Sequence, residues 1–237
     1  MKRWGFKYIS LYFFRSIELN KLRQCSSNYT FLGPILDLGC GDGIFTKQFF
    51  GEGRNIIGID NSPSELSKNK CNTQIILVDA CNMPFENESF NTVFSNCVIE
   101  HIPNLTQLLN EVSRVLKKDG LFVFTVPSDN FKYYLLPFGG WYKEMRNRRL
   151  NHYHCYSHLM WREKLREKGI KVVEYEYYLP KKALQLWDFL ALTTFHFWWI
   201  TFPFAELLYA KVERGIKKYS EERCIDGTAL VVIAKKI

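Results

Sequence analysis

The order of elements predicts an α/β fold, a mostly parallel sheet with helices on both faces. Three observations carry this reading. From Pro34 onward, short apolar runs alternate with helical stretches. Each run is bounded by Gly, Asp or Asn, as a strand should be. The runs are nearly continuous in apolar residues, which suits strands covered on both sides.

Taken in order, residues 1–30 form an N-terminal cap helix and residues 31–178 a core built on five runs, ILDLG, NIIGID, QIILVD, FNTVFSN and GLFVFTV. GIFTKQFF, SPSELSKNK and LTQLLNEVSRVLKK read as the helices between them. The last places Leu105, Leu108, Leu109, Val112, Val115 and Leu116 on one buried stripe. Beyond Pro127 the pattern loosens, with a helix expected over 158–168, ended by Gly169, and a strand over 171–178. Residues 179–226 form an apolar helical insertion before a last strand within 227–237. The chain is thus read as a single domain, 1–237.

Composition narrows the function classes. The 237 residues are 47% hydrophobic, enough for a sizeable core, and 32 Lys and Arg against 24 Asp and Glu give a net charge of +8. That balance suits anionic partners, nucleic acid or an acidic membrane surface, but is also common in enzymes. Seven scattered cysteines without a CxxC pair fit free thiols in a reducing compartment. No secretory signal is apparent, so a cytoplasmic location is expected, peripheral to a membrane if one is met.

The chemistry concentrates at strand ends. Asp37-Leu38-Gly39-Cys40-Gly41-Asp42-Gly43 follows the first run and opens a helix, where glycines let backbone approach a ligand. Asp60 ends the second run, placed to accept from both hydroxyls of a ribose, and Asp79 ends the third, placed to accept from an adenine amino group. The alternative is that these aspartates only cap helices.

DLGCGDG, GIDNS, DACNMPFENESFNTVFSNCVIEHIPN and LNEVSRVLKKDGLFVFTVP, in that order over 34–127, resemble the type-11 group of class I methyltransferases. The resemblance implies a Rossmann-like seven-stranded sheet with S-adenosyl-L-methionine as methyl donor. It implies that Gly39 and Gly41 face the methionine part of the cofactor, with Asp37 nearby and Asn96 on the floor. Asp60 would hold the ribose, Asn61 would lie beside the adenine, and Asp79 with Ala80 would bind its edge. Asn91 replaces the usual Asp after the SF pair. A nicotinamide site is disfavoured because its GxGxxG spacing is absent. The place where an amino-methyltransferase of nucleic acid carries N/D-P-P-Y/F reads SNCV, so no nucleic-acid partner is expected.

For catalysis, His101 is the candidate base or acceptor-positioning group, against the alternative of a loop histidine that orders the site. Glu100-His101 resembles the EH pair of ubiquinone-pathway O-methyltransferases, some of which hold a divalent metal with an E-x-x-E-H cluster. Cys97 stands at the first position of that cluster here, and no metal is expected. The HYHCYSH run supplies His152 and His154 as expected substrate-binding residues, against the alternatives of a metal site or a plain solvated loop.

Residues 183–210 carry only Asp188 and Glu206 as charges, with Trp187, Trp198 and Trp199 and basic residues on both flanks. This suits an interfacial segment better than a span, or else a lid packed on the core. Lys2, Arg3, Lys7 and Arg15 interleave with Trp4, Phe6, Tyr8, Tyr12, Phe13 and Phe14, as in a membrane-surface helix, and 131–150 is again aromatic and basic. Together these features predict methyl transfer to a hydrophobic, lipid- or polyprenyl-linked acceptor with peripheral contact to anionic membrane. The alternatives are a small-metabolite O-methyltransferase and a non-catalytic scaffold retaining the fold.

Overall fold

The computed structural model describes residues 8–71, 74–196 and 205–237. Its strands are β1 Ile35–Leu38, β2 Ile56–Asp60, β3 Gln74–Leu77, β4 Phe90–Asn96, β5 Leu116–Pro127, β6 Ile170–Tyr178 and β7 Ala229–Lys236. They form one seven-stranded sheet in the order β3-β2-β1-β4-β5-β7-β6. Neighbours from β3 to β5 are parallel, whereas β7 runs antiparallel to both β5 and β6. The strand order reverses between β1 and β4, and the crevice beyond their carboxyl ends is where such sheets bind ligands.

The helices are α1 Ile9–Cys25, α2 Ile44–Phe50, α3 Pro63–Leu66, α4 Leu105–Val115, α5 Phe131–Tyr134, α6 Gly140–Leu150, α7 His158–Arg166, α8 Lys181–His196 and α9 Ala205–Glu221, with a 3₁₀ turn at Ile99–His101. Alternate strand residues feed two cores, one on each face of the sheet. Ile35, Phe94, Val123, Val231 and Ile233 face α1, α8 and α9. Leu36, Leu38, Phe122, Phe124, Leu230 and Val232 face α4 and α7.

Two helices are shorter than the sequence pattern suggests. Helix α4 starts at an Asn104 cap that accepts from the Gln107 amide and buries the expected stripe, but it stops at Val115. Leu116 pairs beside Phe90 and begins β5, so Lys117 and Lys118 are strand residues. In SPSELSKNK only Pro63–Leu66 is helical. Lys68 and Asn69 then close tight turns onto the carbonyls of Glu65 and Leu66.

The N-terminal segment also departs from expectation within the described residues. Helix α1 is not laid on a surface: Tyr12, Phe13, Ile17 and Leu22 are buried, and it packs on α8, α9 and β6. Its Phe13 ring lies so close to α9 that a Cβ on Gly215 would sit 3.0 Å from it. The described parts of the 179–226 insertion pack inward as well, burying Ala183, Leu184, Leu190, Val212 and Ile216. No described helix is long and apolar enough to cross a membrane. Trp198 and Trp199 lie outside the described residues.

Buried Asp188 ties α8 to the 131–150 segment. It accepts from the Tyr142 hydroxyl at 2.7 Å, Arg146 Nε at 2.9 Å and the Leu136 amide at 3.2 Å. The return into β7 passes through Gly227, where a Cβ would lie 2.2 Å from the Tyr178 carbonyl.

Candidate active site

The glycine turn sits at the carboxyl end of β1. Gly39 adopts φ +75°, and a Cβ there would lie 2.3 Å from a Val98 methyl, so both conformation and space demand glycine. Its amide donates to the Ile59 carbonyl at 2.8 Å, which locks the turn against β2. Asp60 is held in place by the backbone: Oδ2 accepts from the Gly41 amide at 3.0 Å and Oδ1 from the Ser62 amide at 2.8 Å. Each carboxylate oxygen has a further lone pair for a ligand. Asp79 is fixed likewise by the Cys81 amide at 2.8 Å.

These groups surround two adjoining cavities that share Gly39. The first, about 340 Å³, is lined by Asp37, Gly39, Gly41 and Asn96. The second, about 230 Å³, is lined by Gly39, Asp60, Asn61, Asp79, Ala80 and His101. All eight residues expected at the cofactor are therefore gathered at one edge of the sheet.

Helix α1 supplies two residues that the sequence pattern did not single out for the site. Glu18 is fully buried and accepts from Arg15 at 2.5 Å, the Tyr178 hydroxyl at 2.7 Å, the Cys97 thiol at 3.0 Å and Asn96 Nδ2 at 3.4 Å. Asn96 is completed by the Thr125 hydroxyl at 2.9 Å. Burial, reinforced by Glu18, raises the Cys97 thiol well above its ordinary range and leaves it a neutral donor. Arg15, flanked by the Phe14 and Phe45 rings, reaches the wall of the first cavity. The i, i+3 pairing of Arg15 and Glu18 was visible in sequence; its burial was not.

Arg15 and Leu11 also line a third cavity, of about 160 Å³. Its walls are mostly apolar, from Phe14, Phe131, Leu150 and Trp187, and its polar side holds Glu100, His101 and His152. Glu100 is 1% exposed, and burial pushes its carboxyl up to about 8. His101 Nδ1 lies 3.1 Å from the Asn151 carbonyl, so that nitrogen carries the proton and Nε2 presents its lone pair, 3.8 Å from Glu100 Oε1. Burial lowers the His101 imidazole from its ordinary value and brings His152 down to about 4. The His152 ring packs against Phe131 and His101.

The two expected substrate histidines are separated. His154 turns away, with Nε2 at 2.9 Å from the Ile102 carbonyl and Nδ1 at 3.1 Å from the Tyr156 hydroxyl, and it lines a different, polar cavity beside Asn104 and Lys164. Both of its nitrogens are engaged in structural bonds, which hold it away from the cavity that His152 lines.

Comparison with known proteins agrees with this geometry. Residues 36–124 match a family model described as a methyltransferase domain. The chain is 39% identical over 94 residues to an uncharacterized protein of Methanocaldococcus jannaschii, covering 39% of this chain and 36% of that protein. It is 30% identical over 134 residues to the ubiquinone biosynthesis O-methyltransferase of Glaesserella parasuis, covering 50% of this chain and 57% of that enzyme. In both cases the matched part is less than two thirds of the relative. Phosphoethanolamine N-methyltransferase 2 of Haemonchus contortus, solved with S-adenosyl-L-methionine, shares the fold. The TM-score is 0.62 at 19% identity, over 99% of this chain and 60% of that one. With the glycine turn, Asp60 and Asp79 at successive strand ends and the matching domain laid over them, residues 36–124 carry a methyltransferase domain similar to the type-11 group of class I S-adenosylmethionine-dependent enzymes.

Proposed function

We propose that this protein transfers the methyl group of S-adenosylmethionine to a hydrophobic acceptor presented at a membrane face. The observation that carries the reading is the third cavity, mostly apolar and sharing Leu11 and Arg15 as walls with the cofactor crevice. At about 160 Å³ it suits the reacting head of an acceptor and leaves the remainder outside, since whole drug-sized ligands occupy roughly 300–1,000 Å³.

The cofactor supplies an electrophilic methyl on a sulfonium. Asp60, already aligned by two amides, holds the ribose hydroxyls; Asn61, Asp79 and Ala80 meet the adenine; Asp37, Gly39, Gly41 and Asn96 enclose the amino-acid end. Phe14, Phe131 and Trp187 exclude water and orient the acceptor for in-line attack. As the methyl–sulfur bond breaks and the methyl–acceptor bond forms, the sulfur leaves as a neutral thioether. His101 is the group we assign to the acceptor, positioning its oxygen or taking its proton. The relative named for ubiquinone O-methylation supports oxygen as the acceptor atom.

The membrane part of the reading rests on the outer side of the same cap. Tyr133, Phe138, Trp141, Met145 and Phe189 are exposed, Trp141 by 70%, among Lys132, Lys143, Lys181 and Lys182. Aromatic rings with interspersed lysines suit an anionic interface, each basic residue adding about 1 kcal/mol that salt weakens. Sedimentation with phosphatidylglycerol vesicles tests this. Wild type is expected in the pellet at low salt, and Phe138→Glu/Trp141→Glu in the supernatant with cofactor binding retained. Equal recovery of both proteins in the supernatant would leave a small-metabolite O-methyltransferase, which the small cavity also accommodates.

A further inference from the structure

We propose that Glu100, His101 and His152 form a divalent-cation site, of the zinc class, in the wall of the acceptor cavity. Their ligand atoms all lie within 4.8 Å of one another, the one such convergence of three metal-ligating side chains among the described residues. Glu100 and His101 stand on the 3₁₀ turn after β4, whereas His152 arrives from the loop after α6, so the set is assembled by the fold.

Two features show a site built to receive something. Glu100 Oε2 and His152 Nδ1 are buried and have no hydrogen-bond partner among the described residues, although buried polar atoms are nearly always paired. Both belong to residues lining the same cavity. The loop that carries His152 is also clamped on each side. The Tyr153 amide donates to the Glu100 carbonyl at 2.8 Å, and the Asn151 carbonyl faces His101 Nδ1 at 3.1 Å. The second contact is the outer-shell bond that aims a ligating imidazole, because it leaves Nε2 as the free lone pair.

The donor chemistry narrows the ion. Two imidazoles and one carboxylate suit zinc or a neighbouring first-row metal, whereas magnesium favours all-oxygen shells. Bonds of about 2.0–2.1 Å set tetrahedral ligand atoms about 3.4 Å apart, so these atoms, within 4.8 Å of one another here, would close in on binding. Arg15 is the cation lining this cavity, and its charge is met by Glu18 at 2.5 Å. Three protein ligands leave coordination positions open toward the apolar walls, the arrangement of catalytic rather than structural zinc. Resting on the reading of this cavity as the acceptor site, the ion would bind the acceptor oxygen, orient it toward the methyl group and ease loss of its proton to solvent. His101 then acts on the acceptor through the ion.

The test uses the whole chain, stripped with chelator and titrated with Zn²⁺ by calorimetry and with Co²⁺ by visible absorption. A single equivalent should bind, with cobalt ligand-field bands and no thiolate charge-transfer band. His152→Ala and His101→Asn should each weaken binding by at least about tenfold, with folding verified by circular dichroism. If His152→Ala fails to fold, His101→Asn decides, since that side chain is 41% exposed. No binding, affinities within twofold of wild type in the folded histidine variants, or a thiolate band placing the ion on cysteines would each overturn the site. Wild type that binds the ion but neither S-adenosylmethionine nor S-adenosylhomocysteine would overturn the methyltransferase reading instead, leaving the ion site standing.

Discussion

The cofactor edge and the cap that closes over it are built on opposite plans. At the cofactor edge the two carboxylates sit at or just beyond strand ends and are fixed by backbone: Asp60 by the Gly41 and Ser62 amides, Asp79 by the Cys81 amide. In the cap, the groups in and beside the third cavity come from places far apart in the chain. Arg15 and Glu18 come from α1, Glu100 and His101 from the turn after β4, His152 from a loop and Trp187 from α8. The first plan tolerates variation elsewhere because its geometry is local. The second makes the third cavity depend on how several helices dock, so its walls can change while the cofactor edge stays.

The largest expected effect probes that docking. Glu18→Ala would leave Arg15, Tyr178 and the Cys97 thiol without their shared acceptor. Breaking a buried pair in this way costs about 3–5 kcal/mol. Urea denaturation should show it as a lower midpoint at unchanged slope. A loss below about 1 kcal/mol would mean that apolar packing alone seats α1.

A smaller loss should follow at the cofactor edge, in binding rather than in folding. Asp60→Ala removes the ribose acceptors, and hydrogen bonds to a charged group are worth about 1.5–3 kcal/mol each. Affinity for S-adenosylhomocysteine should fall at least about tenfold by calorimetry. An unchanged dissociation constant in a folded variant would reduce Asp60 to an anchor of the glycine turn.

The smallest effect sharpens the contrast from beneath the cofactor edge. Glu111 accepts from the Met83 amide at 2.7 Å and pairs with Arg114 at 2.7 Å, and the Arg114 bonds hold its carboxyl below the usual range. A depressed folded value stabilises above the unfolded value of about 4.3 and is lost as pH falls through the folded value. Glu111→Gln should therefore cost about 1–2 kcal/mol at pH 7. The gap between wild type and variant in thermal melts should close as the pH drops below about 4. A constant gap across that range would place the cost in packing.

The sequence was most readable where function is local. The strand runs, the α4 stripe and the carboxylates at the ends of β2 and β3 are each marked by residues within a few positions of one another. For α1 the pattern was ambiguous, because basic and aromatic residues in alternation describe an interfacial helix and a buried one equally well, and Lys2, Arg3, Trp4, Phe6 and Lys7 lie outside the described residues. Only contact with β6, α8 and α9 distinguishes them. His152 and His154 look equivalent in HYHCYSH, yet the Ile102 carbonyl and Tyr156 draw one away from the other. Glu100 drew attention only as the partner of His101, because nothing in a linear motif reveals that its carboxyl faces an apolar cavity.

The position of β7 bears on how the molecule comes to be made. Residues 229–236 lie between β5 and β6, and β6 has no other strand neighbour among the described residues. While the ribosome has yet to release them, β5 presents an open edge and β6 has nothing to pair with, and such unpaired edges invite pairing with other chains. The segment from β1 to β5 can collapse as it emerges, but β6 cannot join the sheet until β7 has followed it. The nascent protein is therefore most in need of protection between the emergence of β6 and that of β7, after the cofactor edge has already been made.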